Sequence, residues 1–180
     1  MTTKSEFLDS IKIDLSPFHL ERLKLIDTFD YSPALQKVSR DKGGLTPAYL
    51  RQGELALKQY YAVALLDPLN EHAVSKLVDP FWHCHVLFTK EYVRFCSTIF
   101  GGYIHHAPLD PSDENEVVSV GKLYDYTLKT YKKIFNHIDP DWWPKVAKND
   151  PLFAIQIVCK HMLVKDADIV ANAMFKQVKR

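Results

Sequence analysis

The chain has 180 residues, a hydrophobic fraction of 47% and a formal net charge of +1 at pH 7. This length suits one domain, or at most two small ones, and the composition excludes a largely disordered protein. A net charge so close to zero gives no overall attraction to nucleic acid or to an anionic membrane, so we expect no nucleic-acid partner.

The cysteines and the N-terminal segment indicate where such a protein works. Cys84, Cys96 and Cys159 are widely spaced and odd in number, which argues against a disulfide framework. A reducing compartment is the simpler expectation. The N-terminal segment MTTKSEFLDSIKIDL has no long apolar run, and no stretch nears the ~20 apolar residues of a membrane span. The sequence therefore predicts a soluble, cytoplasmic protein without a signal peptide.

The prolines mark the helices. Eight of the ten follow Ser, Thr or Asp, residues that cap helix N-termini, and proline is well tolerated at the next position. Some of these pairs mark turns instead. Strand patterns are sparse, so we expect a single all-α domain over residues 1–180 with about six or seven helices. The expected helix starts are Ser16, Ser32, Thr46, Asp79, Asp110 or Ser112, and Asp150, with a last one near Asp166, and the expected loops are Asp41–Gly44 and Pro108–Glu116.

The stretch DPFWHCHVLFTKEY, which starts at Asp79, carries the most unusual pattern. With Asp79 as the N-cap, it predicts one amphipathic helix that stops at Gly101. Steps of ~100° per residue place His85 in the middle of the apolar face and His83 on the opposite face. We therefore expect His85 to be buried, with Thr89 or Tyr92 as hydrogen-bond partners, and His83 to be more exposed.

Five residues of this region are candidate metal ligands: His85, His83, Asp79, His105 and His106. Imidazole suits Zn or Fe, so either metal is the candidate cofactor. The five are not all expected in one coordination shell. Asp79 and His83 share a face at i, i+4 spacing, but His83 and His85 diverge. A continuous helix also places His105 and His106 ~30 Å from Asp79.

Several residues of the same region can also be explained by a purely structural role. His85 is explained equally well as a hydrogen-bonded core histidine. Cys96 lies on the apolar stripe and is expected to be a small core residue. Cys84 and Cys96 show no C-x-x-C spacing, which excludes a zinc-finger pattern.

The region also resembles a known family. VDPFWHCH, Tyr92, Cys96, FGGYIHH and Pro108 are similar to a pattern of the glycine-rich domain-containing protein-like family, known from plant proteins and bacterial relatives. The chain has only six glycines and no glycine-rich tract, so the role of that tract does not carry over. The resemblance implies a functional or structural signature and no established catalytic activity. It adds Trp82, Tyr92 and Cys96 to the candidate site residues.

Two functions remain open. The first is a small helical protein with a histidine-based site for a metal or a polar ligand around the Trp-His-x-His helix. The second is an interaction or structural module, with a protein partner, in which that helix only packs the core. The sequence has no P-loop, dinucleotide fingerprint, G-x-S-x-G elbow or H-E-x-x-H motif, so no reaction and no catalytic residue is assigned.

Overall fold

A computed structural model describes residues 5–145 and 167–178 of the chain. Those residues form helices and connecting segments without a strand, which confirms the predicted all-α fold. The described helices number eight. They are α1 (Glu6–Ser10), α2 (Pro17–Thr28), α3 (Ser32–Lys42), α4 (Pro47–Leu66), α5 (Asp79–Leu87), α6 (Thr89–Phe100), α7 (Glu114–Phe135) and α8 (Ala167–Ala171).

The structure confirms the predicted starts of α2 and α4. The side chains of Ser16 and Thr46 accept hydrogen bonds from the backbone N–H groups of His19 and Tyr49, and proline follows each cap. These contacts satisfy N–H groups that have no partner within the helix. α3 starts at Ser32 as predicted, although Tyr31 occupies the capping position without a side-chain bond.

Two later starts differ from the prediction or fall outside the described residues. α7 begins at Glu114, because the carboxylate of Asp113 accepts from the N–H groups of Asn115 and Glu116. The expected start at Asp110 or Ser112 is therefore a few residues early. The expected start near Asp150 lies outside the described residues, and α8 follows directly after the predicted Asp166.

The predicted continuous helix from Asp79 to Gly101 was wrong, because the chain breaks at Phe88. Phe88 has φ −84° and ψ 64°, and its N–H bonds to the carbonyl of His85, three residues back. The break separates α5 from α6 and lets each helix bury its own aromatic side chains in one core, with Trp82 from α5 and Phe95 from α6. Neither proline nor glycine marks this position.

The same region starts differently from the prediction. Val78 occupies the N-cap, and Asp79 is the first residue of α5. The carboxylate of Asp79 is therefore not used as the helix cap, which leaves it available to a residue from another part of the chain.

α4 occupies the centre of the fold. Every residue from Tyr60 to Leu66 is buried, and α1, α2, α3, α5 and α7 all contact this helix. Because Gly53 on α4 has no Cβ, the ring of Phe81 can occupy the space that a Cβ would fill. This contact brings α5 close to α4. Despite the apolar composition of α4, no helix in the described part of the chain is long and apolar enough to cross a membrane.

Candidate functional site: a pocket between α3 and α5

Asp79 and His106 meet at the start of α5. Nε2 of His106 lies 3.1 Å from Oδ1 of Asp79, and the two side chains are only 8% and 6% exposed. The predicted ~30 Å separation was wrong, because it assumed a straight helix. The break at Phe88 lets α6 pack against α5, so the segment after α6 returns to the N-terminal end of α5.

A chain of buried hydrogen bonds holds this arrangement. The indole N–H of Trp82 donates to the hydroxyl of Tyr92 over 2.9 Å, and that hydroxyl donates to the carbonyl of Ile104 over 2.8 Å. Burial raises the pKa of Tyr92 well above its usual value, so the hydroxyl keeps the proton that it donates. The Trp82 ring also packs edge-on against His106, with 5.1 Å between centroids. The Trp-His-x-His motif therefore positions His106.

Asp79 and His106 line a cavity of about 390 Å³ between the end of α3 and the start of α5. Val38, Pro80 and Pro108 supply apolar walls. The exposed ring of His83 reaches the same cavity and lies 5.3 Å from the His106 ring, measured between centroids. Two histidines, the acidic residues Asp41 and Asp79, and Lys42 therefore line the cavity together with its apolar walls.

Cys84 lies on the wall of the same cavity. Its Sγ is 3.9 Å from Oδ2 of Asp41. Burial raises the pKa of the Cys84 thiol, and the nearby Asp41 carboxylate raises it further. The thiolate is the form that attacks electrophiles and ligates metals, so this cysteine is chemically quiet at neutral pH.

The candidate metal ligands separate into different places. Asp79, His83 and His106 share the cavity, whereas His85 lies in the core and His105 is exposed against the ring of Tyr103. Within residues 5–145 and 167–178, no group of three or more His, Cys, Asp or Glu side chains is arranged to hold a metal ion. The geometry therefore does not support the predicted metal site.

His85 is a core residue, as one of the two readings of the sequence had it. His85 is 2% exposed, whereas His83 is exposed. Both observations confirm the predictions, which placed His85 in the core and His83 at the surface. The partner of His85 is Tyr61 on α4, whose hydroxyl lies 2.7 Å from Nδ1, and not the expected Thr89 or Tyr92. The difference arises because α4 packs against this face, and a partner on another helix is invisible to a helical wheel.

Cys96 is likewise part of the core. It is fully buried, and burial raises the pKa of its thiol to about 11. A thiol with so high a pKa stays protonated at neutral pH and is a poor nucleophile. The predicted role as a small core residue fits this position.

The burial of His85 predicts a pH dependence of stability. Burial lowers the pKa of His85 from the ordinary histidine value of about 6.5 to about 3. Below pH 6.5 the unfolded chain binds a proton that the folded chain refuses, so acid favours unfolding. We expect His85 to remove about 2 kcal/mol of the free energy of unfolding between pH 7 and pH 5. Urea titrations at both pH values measure this loss.

The matched variant is His85→Gln, which keeps a polar side chain beside Tyr61 but has no proton to gain. It is expected to be less stable at pH 7 and to lose about 2 kcal/mol less than the wild type on going to pH 5. Identical losses in the two proteins would show that His85 is protonated in the folded state as readily as in the unfolded one.

Sequence reasoning missed a buried polar network at the end of α4. Nε2 of His72 lies 3.1 Å from Oδ2 of Asp67, and both side chains are fully buried. The hydroxyl of Tyr126 donates to the same carboxylate oxygen over 2.7 Å, and the hydroxyl of Thr127 lies 3.2 Å from Nδ1 of His72. The sequence feature that could have predicted this network is DPLNEH, a mainly polar stretch that directly follows the apolar end of α4.

The partners of Asp67 decide its charge state. Burial alone raises the pKa of this carboxyl, but the hydrogen bonds from His72, Asn70 and Tyr126 outweigh burial and hold the pKa below its usual value. Asp67 is therefore an ionised carboxylate inside the protein. A buried charge of this kind persists only where hydrogen bonds compensate for lost hydration.

The fold and the site define a helical protein in which a histidine–aspartate pair faces a small cavity. The chain belongs to the UCP032817-like family, whose model matches residues 21–157. The match includes the whole of α3 and α5, and therefore the cavity. The resemblance to the glycine-rich domain-containing protein-like family was wrong, since the family that matches is a different one. Neither a curated protein nor a solved structure matches the chain.

Proposed function

We propose that this protein binds a small organic ligand in the cavity between α3 and α5, and that His106 recognises its polar group. The observation that supports the proposal is the contact of His106 with Asp79 on the wall of a largely apolar cavity. Most ligand sites combine apolar walls with a few fixed polar groups. A volume of about 390 Å³ suits a small molecule.

The chemistry of the pair indicates what the ligand carries. A carboxylate accepts hydrogen bonds, so the proposal makes the Nε2–H of His106 the donor to Asp79. In this tautomer the other ring nitrogen, Nδ1, is an acceptor, and the proposal assigns it to the ligand. The preferred ligand is therefore a mainly apolar molecule with one hydroxyl or amino donor.

The competing function, a motif that only packs the core, accounts for part of the same region. Trp82, His85, Tyr92 and Cys96 are all buried there. His106 also lines the cavity, beside the exposed His83, and this position favours the ligand site over packing alone. The Trp-His-x-His region thus combines a packed core with a cavity wall.

Two probes of similar size test the proposal. Phenol carries a hydroxyl donor, and toluene replaces that donor with a methyl group. In NMR titrations of the full-length protein, phenol is expected to shift the ring signals of His106 and to bind at least about tenfold more tightly than toluene, which corresponds to roughly one charge-free hydrogen bond. His106→Phe is expected to abolish this preference.

His105→Phe is the matched control, because it makes the same exchange at an exposed neighbour and is expected to leave the preference intact. Equal binding of phenol and toluene to the wild type contradicts the proposal. Stoichiometric Zn or Fe that survives dialysis and is lost in His106→Phe also contradicts it, and would restore the metal site.

A further inference from the structure

One side chain, that of Asn70, binds two backbone groups of the C-terminal segment, residues 174–178. Nδ2 of Asn70 donates to the carbonyl of Lys176 over 3.1 Å, and Oδ1 of Asn70 accepts from the N–H of Val178 over 2.8 Å. These two backbone groups are separated by a single residue, as are the groups that one residue of a parallel strand bonds on its neighbour. The carboxamide thus acts as a substitute for a peptide group.

Asn70 is also held by residues of the helical domain itself. It is 3% exposed, and Nδ2 also donates to Oδ1 of Asp67 over 2.6 Å. Asp67 is in turn bonded by Tyr126 and lies against His72. The buried polar network therefore orients the carboxamide, and preorganised groups bind with a smaller loss of conformational entropy.

Both hydrogen bonds of Asn70 go to backbone atoms of the segment, so they do not select a particular side chain. A further backbone bond joins the N–H of Met174 to the carbonyl of Leu66 at the end of α4. The ring of Phe175 lies below the ammonium group of Lys133, 5.6 Å from its centroid, which is within the range of a cation–π contact. The occupant is thus defined as non-helical backbone with one aromatic side chain.

Asn70 and the residues of its supporting network, here called the clamp, differ from the segment that they bind in their relation to the family. Asp67, Asn70, His72 and Tyr126 lie inside the residues that the family model matches, 21–157, whereas the C-terminal segment lies outside them. The clamp residues therefore lie within the region that the family model matches, and the segment that they bind lies beyond it.

We propose that Asn70 and its supporting network form a binding site for an extended peptide, and that residues 174–178 occupy this site in cis. A peptide with an aromatic residue three positions before the backbone N–H bound by Asn70 is the expected ligand in trans. This site is independent of the cavity between α3 and α5, and its test does not depend on that cavity.

The test weakens the cis occupant and leaves the clamp unchanged. Val178→Pro in the full-length chain removes the N–H that Asn70 accepts. A fluorescein-labelled peptide NAMFKQVKR, which copies residues 172–180, is the probe in anisotropy titrations. We expect it to bind Val178→Pro at least tenfold more tightly than the wild type, whose own segment competes. Hydrogen exchange at the Met174 amide is expected to speed up in Val178→Pro.

A second substitution identifies the clamp. Asn70→Ala combined with Val178→Pro is expected to lose the peptide binding, whereas Asn115→Ala combined with Val178→Pro, which changes an exposed asparagine of α7, is expected to keep it. Three results overturn the proposal: unchanged exchange at Met174 in Val178→Pro, faster exchange without peptide binding, or binding that survives Asn70→Ala.

Discussion

His85→Ala is expected to lower the free energy of unfolding by about 2–4 kcal/mol, whereas His83→Ala is expected to change it by less than ~0.5 kcal/mol. The first change leaves a void in the core and removes the partner of the buried Tyr61 hydroxyl. The rings of Phe29, Tyr92 and Phe95 surround the imidazole and lose their contacts with it. Chemical denaturation of both variants at pH 7 measures the difference.

His83→Ala is the matched control, because it truncates the same residue type on the same helix at an exposed position. Equal, large losses in both variants would contradict the structure, since they would require both histidines to make buried contacts. Small losses in both would show that the core around His85 closes over the void without cost.

Tyr92→Phe is expected to lower the free energy of unfolding by about 2–4 kcal/mol, although it removes a single oxygen atom. The lost hydroxyl leaves the indole N–H of Trp82 and the carbonyl of Ile104 without this partner inside the protein. Each buried polar group left unpaired costs about 1–3 kcal/mol. The same change frees the segment after α6, so the His106 ring is expected to leave Asp79.

Tyr49→Phe removes a hydroxyl from a partly exposed tyrosine and is expected to cost less than about 0.5 kcal/mol. Denaturation gives the stability of both variants, and the NMR signals of His106 report its position. An unmoved His106 in Tyr92→Phe would show that the bond between Tyr92 and Ile104 is not needed to place the ring.

These two expectations locate the two parts of the histidine-rich region. His85 belongs to the core, where burial keeps its ring neutral. His106 belongs to the cavity, where Asp79 and Trp82 hold it. The Trp-His-x-His motif therefore supplies the packing on which the proposed ligand site depends, and a loss of packing is expected to disturb the ligand site as well.

Much of the helical architecture was determined locally. Ser16 and Thr46 cap their helices through their own side chains, and proline follows each of them. Such caps depend on residues within one turn of each other, so a single sequence is enough to predict them. The burial of His85 and the exposure of His83 were predictable for the same reason, because both follow from the helical period.

The break at Phe88 was decided only by the tertiary structure. The local sequence contains no proline or glycine there, and the gain comes from burying Trp82 and Phe95 in one core. That gain depends on residues far apart in the chain. The contacts of His106 with Asp79 and of Tyr61 with His85 follow from the same packing, across 27 and 24 positions.

The network around Asp67 was equally beyond local reasoning. Its partner Tyr126 is 59 positions away, and the segment held by Asn70 is more than 100 positions away. Residue type and helical period predicted the burial of His85 and Cys96 and the exposure of His83. Which buried polar groups meet was decided by helix packing, because a hydrogen bond requires two groups within about 3 Å and a sequence does not record distance.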